Sequence, residues 1–180
     1  RYDKSHLVPL GEYVPARGIM EAVGLARLVP GDYDFAAGPG PRTLALPGGL
    51  PAVGPLVCYE IIFPGAVVDP EKRPGWLANV SNDAWYGASG PPQHLAQSRL
   101  RAIEEGLPVA RATPTGVSAM VSAYGRVRVS IAAGRRDVIS TDLPPPLPRT
   151  LFSRRGHLVP GLLALLLLGT GLLVDRRKII

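Results

Sequence analysis

The chain has 180 residues, 46 % of them hydrophobic, with 21 Gly, 20 Pro and a single Cys. That length and apolar share supply one domain with a sizeable core and exclude a disordered chain, and one cysteine excludes an internal disulfide framework or a Cys-cluster zinc site. The formal charge of +6 points to nucleic acid or an anionic membrane until its distribution along the chain is known.

Residues 1–15 (RYDKSHLVPLGEYVP) read as a strand end and a loop. Residues 16–28 space Ile19, Met20, Val23, Leu25 and Ala26 as a helix would, and residues 29–41, rich in Gly, Pro and Asp, form a loop. Residues 43–46 and 55–58 are short strand candidates, the second a buried one. Residues 61–68 follow a sharp turn as a short helix. A buried strand over 76–80 ends in the polar cluster Ser81-Asn82-Asp83. Residues 91–107 are helical: Pro92 suits a first turn, and Leu95, Ala102, Ile103 and Leu107 lie towards one side. Residues 108–113 form a strand, and 117–122 and 127–132 flank Tyr124-Gly125, a hairpin signal. Residues 137–142 close the domain. Four prolines within 143–148 make a stiff linker. No internal repeat is visible. Strands mixed with helices over 1–148 predict an α/β or α+β layered domain.

The charge belongs to the tail. Residues 1–148 hold 14 Lys/Arg against 13 Asp/Glu, whereas 149–180 hold six bases and only Asp175 as an acid. Arg149, Arg154 and Arg155 precede, and Arg176, Arg177 and Lys178 follow, the uncharged run 158–174 (LVPGLLALLLLGTGLLV). Seventeen residues at about 1.5 Å each span roughly 26 Å, the short end for a membrane helix. The run lies at the wrong end for a signal peptide and is too apolar all round for a core helix, so a transmembrane helix is expected over 158–174. Residues 149–157 are then a basic linker and 175–180 a basic tail. Three bases on each side leave the orientation open.

Cys58 ends an apolar strand just before a helix start, where free N–H groups stabilise a thiolate and a developing oxyanion, and Glu60 lies two residues on. Its residue type fits a small buried hydrophobe as well as a nucleophile. Lys4 and Glu12 lie in a segment dense in Pro, Gly and aromatics, where lysine is commonly a solvated charge. His6 and His94 are candidate ligands or bases, yet no close ligand cluster accompanies them, so no metal is expected. Gly38–Gly40 and Gly48-Gly49 lack the spacing of a phosphate loop or dinucleotide fingerprint, so no cofactor is expected either.

In order, the chain carries Tyr2-x-Lys4-x-His6-Leu-Val-Pro-x-Gly11-Glu12, Cys58-Tyr59-Glu60-Ile61 and Ser81-Asn82-Asp83-Ala84-Trp85-Tyr86-Gly87. Gly90-Pro-x-Gln93-His94, Arg99-x-Arg101-Ala102 and Arg111-Ala-Thr113-x-Thr115-Gly116 follow. This series resembles the nitrilase-like domain of the apolipoprotein N-acyltransferase family over essentially the whole chain. The resemblance implies an α-β-β-α sandwich, incomplete at its N-terminus and followed by one transmembrane helix. It assigns Cys58 as the nucleophile that takes an acyl chain from a phospholipid as a thioester. Lys4 would support the oxyanion with the backbone N–H after the cysteine. Glu12 and Glu60 match further acidic positions of that site, and Tyr59 its aromatic neighbour. The acceptor would be the α-amine of a diacylglyceryl-cysteine lipoprotein.

The resemblance further implies a bacterial inner-membrane location, with residues 1–157 outside the cytoplasm and 175–180 within it, and no nucleic-acid partner. That family's glutamate base lies upstream of the lysine, so the chain is expected to be part of a longer multi-pass protein and inactive alone. Pro114 stands where the family usually has Asn, and Leu107 where Arg is common. Two other readings stay open: a membrane-tethered carbon–nitrogen hydrolase with water as acceptor, and a non-catalytic membrane-anchored module. Oligomeric state is silent.

Overall fold

Five short strands run side by side in chain order in one mixed sheet: β1 (Val53–Val57), β2 (Trp76–Val80), β3 (Val109–Ala112), β4 (Ser118–Val121) and β5 (Val127–Ile131). The computed structural model describes residues 1–24 and 34–177. β1, β2 and β3 are mutually parallel, and β3–β4–β5 form an antiparallel meander. The mixed direction follows from the connections. Long crossovers join the parallel strands, whereas the short turn at Tyr124-Gly125 can only return the chain antiparallel. A second sheet, as a complete α-β-β-α sandwich needs, is absent among the described residues, so the layering here is one mixed sheet with helices.

α1 (Arg17–Ala22) is shorter than the helix expected over 16–28, whose last residues lie outside those described. The strand expected over 43–46 is only a bridge between Leu44 and Val53. The helix expected over 61–68 instead begins at Cys58, as a 3₁₀ turn over Cys58–Ile62. Its start is moved forward by Glu60, whose carboxylate accepts from the Val57 N–H at 2.7 Å and closes the turn as soon as β1 ends.

The inward face of the sheet packs Leu56, Leu77, Val109, Ala119 and Val121 against Ile61 and Val67 of the turn segment and Ala102 of α2 (Gly90–Glu105), with Leu107 just beyond it. On α2 the buried positions recur every three or four residues, at Pro91, His94, Ser98, Arg101, Ala102 and Glu105. This face is largely polar. Ile103, expected inside, is 49 % exposed. The reversal has a specific cause: His94, Ser98 and Arg101 find buried hydrogen-bond partners that outweigh the simple apolar count.

The end of α2 also holds the tail. Gly106 caps the helix at φ +64, and the Leu147 N–H donates to its carbonyl at 2.9 Å. The Arg73 guanidinium donates to the carbonyls of Glu105 and Leu147. Residues 149–157, expected as a linker, contain the short helix α3 (Leu151–Arg155), capped by Thr150, whose hydroxyl accepts from the Ser153 N–H at 2.9 Å. α4 (Leu158–Arg177) follows, with side chains described as far as Leu172. Among the described residues no helix is long and apolar enough to cross a membrane. Leu162, Leu163, Leu165, Leu166, Leu167 and Leu168 are all exposed, as is every described residue of α4 from 160 to 172.

Candidate functional site

The carboxyl ends of the three parallel strands carry the chemistry-bearing residues, the usual place for a site in an open α/β sheet. Cys58 is the residue directly after β1. Its φ is +52, in the left-handed region that L-residues avoid. A non-glycine residue is held there at a cost of about 1–3 kcal/mol, which the surrounding structure must sustain. The strand-to-3₁₀ reversal produces this strain, and Cys58 stays half-exposed.

What holds the reversal is Glu60. It is almost fully buried, and its carboxylate accepts five hydrogen bonds. The Val57 N–H, the Ser5 N–H, the Ser5 hydroxyl and the Tyr2 hydroxyl each lie at 2.7 Å, with the His6 N–H at 3.3 Å. Burial pushes the Glu60 pKa up, but the donors at Val57, Tyr2 and Ser5 together hold it below the ordinary value. Burial, with Glu60 as hydrogen-bond partner and neighbouring charge, pushes the Tyr2 phenol well above its usual range. An ionised Glu60 thus ties the amino-terminal segment to the turn at Cys58. The stacking of His6 on Phe63, 4.4 Å between centroids, adds to that contact, and Tyr59 meets Phe63 edge-on at 5.0 Å.

Lys4 is carried along with Ser5. Its ammonium sits 2.7 Å from both oxygens of Glu12, and Glu12 also accepts from the Val8 N–H at 2.8 Å. Lys4 is 12 % and Glu12 27 % exposed, so the pair is drawn out of water without being sealed. Lys4 is therefore no solvated surface charge. The structure brings Lys4 and Glu12 onto one amino-terminal segment, which Glu60 clamps to the turn that it shares with Cys58 and Tyr59.

A second polar cluster lies beneath. Asn79 on β2 and Arg111 on β3 are registered partners on the inward face, one pleat beyond the apolar pair Leu77 and Val109. The Arg111 guanidinium donates to Asn79 and, at 2.6 Å, to Asp83. Asp83 also accepts from the Ser81 hydroxyl at 2.8 Å and faces His94 Nδ1 at 2.9 Å. His94 Nε2 reaches the Cys58 carbonyl at 3.2 Å, and Asn79 donates to the Leu56 carbonyl at 3.4 Å. The side chains of Arg111 and Asp83 are 0 % exposed. Burial opposes ionisation of Asp83, but Ser81, Arg111 and His94 outweigh it and hold the pKa low. Burial and the Arg111 charge push His94 below its ordinary value, against Asp83 and the Cys58 carbonyl. Gly116 is required here, because a Cβ would fall 2.1 Å from the Asp83 carboxylate.

Sequence pattern alone does not single out Asn79 and Arg111. The available signal is a polar residue two positions after a buried apolar one in each of two adjacent strands. His94, a candidate ligand or base in the sequence, faces no metal site: no group of three or more His, Cys, Asp or Glu fit to hold an ion occurs among the described residues. A cavity of about 200 Å³ lined by Tyr59, Ile62, Gly90, Gln93, His94 and Gln97 lies where the turn meets α2.

The profile of the carbon–nitrogen hydrolase family matches residues 1–150. Apolipoprotein N-acyltransferase of Rhodopseudomonas palustris is 43 % identical over 97 % of this chain, and that of Bradyrhizobium diazoefficiens 42 % identical over 99 %. The Caulobacter vibrioides protein of the same name is 48 % identical over 79 % of the chain. The chain spans about a third of the length of these curated relatives, 33 %, 33 % and 27 % respectively. Among solved structures, the NitN amidase from Neterenkonia sp. AN1 is 24 % identical with a TM-score of 0.46, over 73 % of this chain and 47 % of its own.

Proposed function

The chain belongs to the carbon–nitrogen hydrolase family, and on that premise we propose that it carries the acyl-transfer site of an apolipoprotein N-acyltransferase. The observation that carries this reading is the strained Cys58, with the Lys4–Glu12 pair clamped to the same turn through Glu60. The names of the relatives similar over nearly the whole chain supply the substrate class.

In this reading the Cys58 thiolate attacks an ester carbonyl of a phospholipid. The S–C bond forms, the C–O bond to glycerol breaks, and the thiol proton ends on the departing alcohol. The Lys4 ammonium and the Tyr59 N–H stabilise the tetrahedral oxyanion, and Glu12 keeps Lys4 aimed. The α-amine of a diacylglyceryl-cysteine then attacks the thioester. An amide forms, the C–S bond breaks, and the amine proton restores the thiol. Glu60 has its oxygens occupied by five donors, so its role is to position the segment rather than to shuttle a proton.

α4 inserts into the bilayer in this proposal. The uncharged 158–174 run is exposed throughout 160–172 and bracketed by Arg154, Arg155, Arg176 and Arg177. The near-neutral residues 1–148 then work on the extracytoplasmic face of the inner membrane, and 175–180 lie in the cytoplasm. The +6 charge serves the membrane anchor and not nucleic acid.

The test is Cys58→Ala in the intact protein, with mass spectrometry of the protein incubated with phospholipid. An acyl adduct on the wild type and none on the variant is expected. Transfer to a diacylated lipoprotein by the alanine variant would overturn the proposal. A second reading, hydrolysis of a carbon–nitrogen bond with water as acceptor, is favoured by the family match itself. Ammonia release from small amides, with no acyl adduct from phospholipid, would select it.

A further inference from the structure

We propose that His94 is a positioning residue for acyl transfer: by donating to the Cys58 carbonyl, it aims the Tyr59 N–H at the developing oxyanion. The inference rests on Cys58 being the nucleophile.

The peptide joining Cys58 to Tyr59 is a rigid planar unit, and in the trans form its C=O and N–H point in opposite directions. No cis peptide bond occurs among the described residues. Fixing the carbonyl on one side therefore fixes the N–H on the other. His94 does this from α2, with Nε2 at 3.2 Å from the Cys58 oxygen. A carbonyl only accepts, so Nε2 carries the proton in this contact. A hydrogen bond to the oxygen also polarises the amide and makes its N–H a stronger donor.

The imidazole is itself gripped. Its Nδ1 faces Asp83 Oδ1 at 2.9 Å, Arg111 Nη2 at 3.2 Å and Ser81 Oγ at 3.4 Å. The same network holds β1 one step earlier, through Asn79 and the Leu56 carbonyl. His94 is only 5 % exposed, and the groups around it come from the segment after β2, from β3 and from the turn. A ring locked in this way can sustain a backbone that Cys58, at φ +52, would otherwise relax. Such a side chain needs no contact with substrate to affect rate. It acts on a donor that matters only when negative charge develops on the carbonyl oxygen.

Two substitutions separate the two ends of the ring. His94→Gln can place an amide N–H near the Nε2 position and keep the bond to Cys58. His94→Asn can place its amide oxygen near Nδ1, which keeps an acceptor for the Arg111 guanidinium and abandons Cys58. The experiment follows acyl-adduct formation on the intact protein against phospholipid concentration, with Cys58→Ala as the control. The Asn variant should lose roughly 10- to 100-fold in maximal acylation rate at unchanged half-saturating phospholipid, and the Gln variant should recover most of it. Equal losses in both variants would make the residue structural only and overturn the inference, as would an Asn variant with wild-type rate. Adducts persisting in Cys58→Ala would instead overturn the nucleophile assignment.

Discussion

Two charged clusters meet at the turn after β1, and they are built on opposite principles. The amino-terminal one pairs Lys4 with Glu12, both partly open to solvent, and hangs on five neutral donors to Glu60. The one beneath it seals Asp83 and Arg111 completely and encloses His94 and Asn79. An accessible pair can exchange its partners for substrate at low cost, whereas a sealed pair cannot lose one member without leaving an uncompensated charge. The upper cluster is thus suited to chemistry and the lower one to holding the backbone on which that chemistry depends.

The largest test of this division removes one carboxylate from each cluster. Asp83→Ala leaves Arg111 buried and unpaired, and should destabilise the fold by about 3–5 kcal/mol in urea unfolding. Glu12→Gln should cost about 1 kcal/mol or less while eliminating acyl transfer. Comparable stability losses would erase the distinction.

A smaller effect should appear on acidification. The His94 pKa is lowered from 6.5, so the unfolded chain takes up that proton first and stability falls as pH drops below 6.5. The groups facing the ring are Asp83, Arg111, Ser81 and the Cys58 carbonyl. Glu60 and Asp83 are lowered from 4.5 and 3.8, so their contributions persist above those values and are lost only as pH falls through the still lower folded pKa. The buried cluster should therefore yield first. Thermal melts from pH 7 to 5 should show a declining midpoint, and His94→Gln should flatten that limb. An unchanged slope in the variant would assign the decline elsewhere.

The smallest effect concerns the strain itself. Cys58→Gly relieves the left-handed backbone and should raise stability by about 0.5–1 kcal/mol while abolishing the acyl adduct. A destabilised glycine variant would mean that the turn is not strained at Cys58.

Much of this arrangement is legible without coordinates. The β2 bounds are those expected from sequence, 76–80, and the hairpin at Tyr124-Gly125 follows from its turn residues. The motif blocks around Lys4, Glu12 and Cys58 suffice to place the chain with its relatives. The inward face of α2 is not legible, because periodicity ranks residues by hydrophobicity and cannot see that His94, Ser98 and Arg101 each find a partner. The short helix after Cys58 is displaced for a similar reason: a buried carboxylate three residues after Val57 begins the turn early.

Sequence by itself determined the mixture of strands and helices, the family, and the concentration of net charge in the 149–180 segment. These rest on local pattern and composition, which each residue carries wherever it lies. Only the tertiary structure decided that Asn79, Asp83, His94 and Arg111 form one sealed network under Cys58, and that Glu60 binds Tyr2 and Ser5 more than fifty residues away. Burying polar groups is unfavourable unless every one is satisfied, and the partners that satisfy these come from separate strands, loops and a helix.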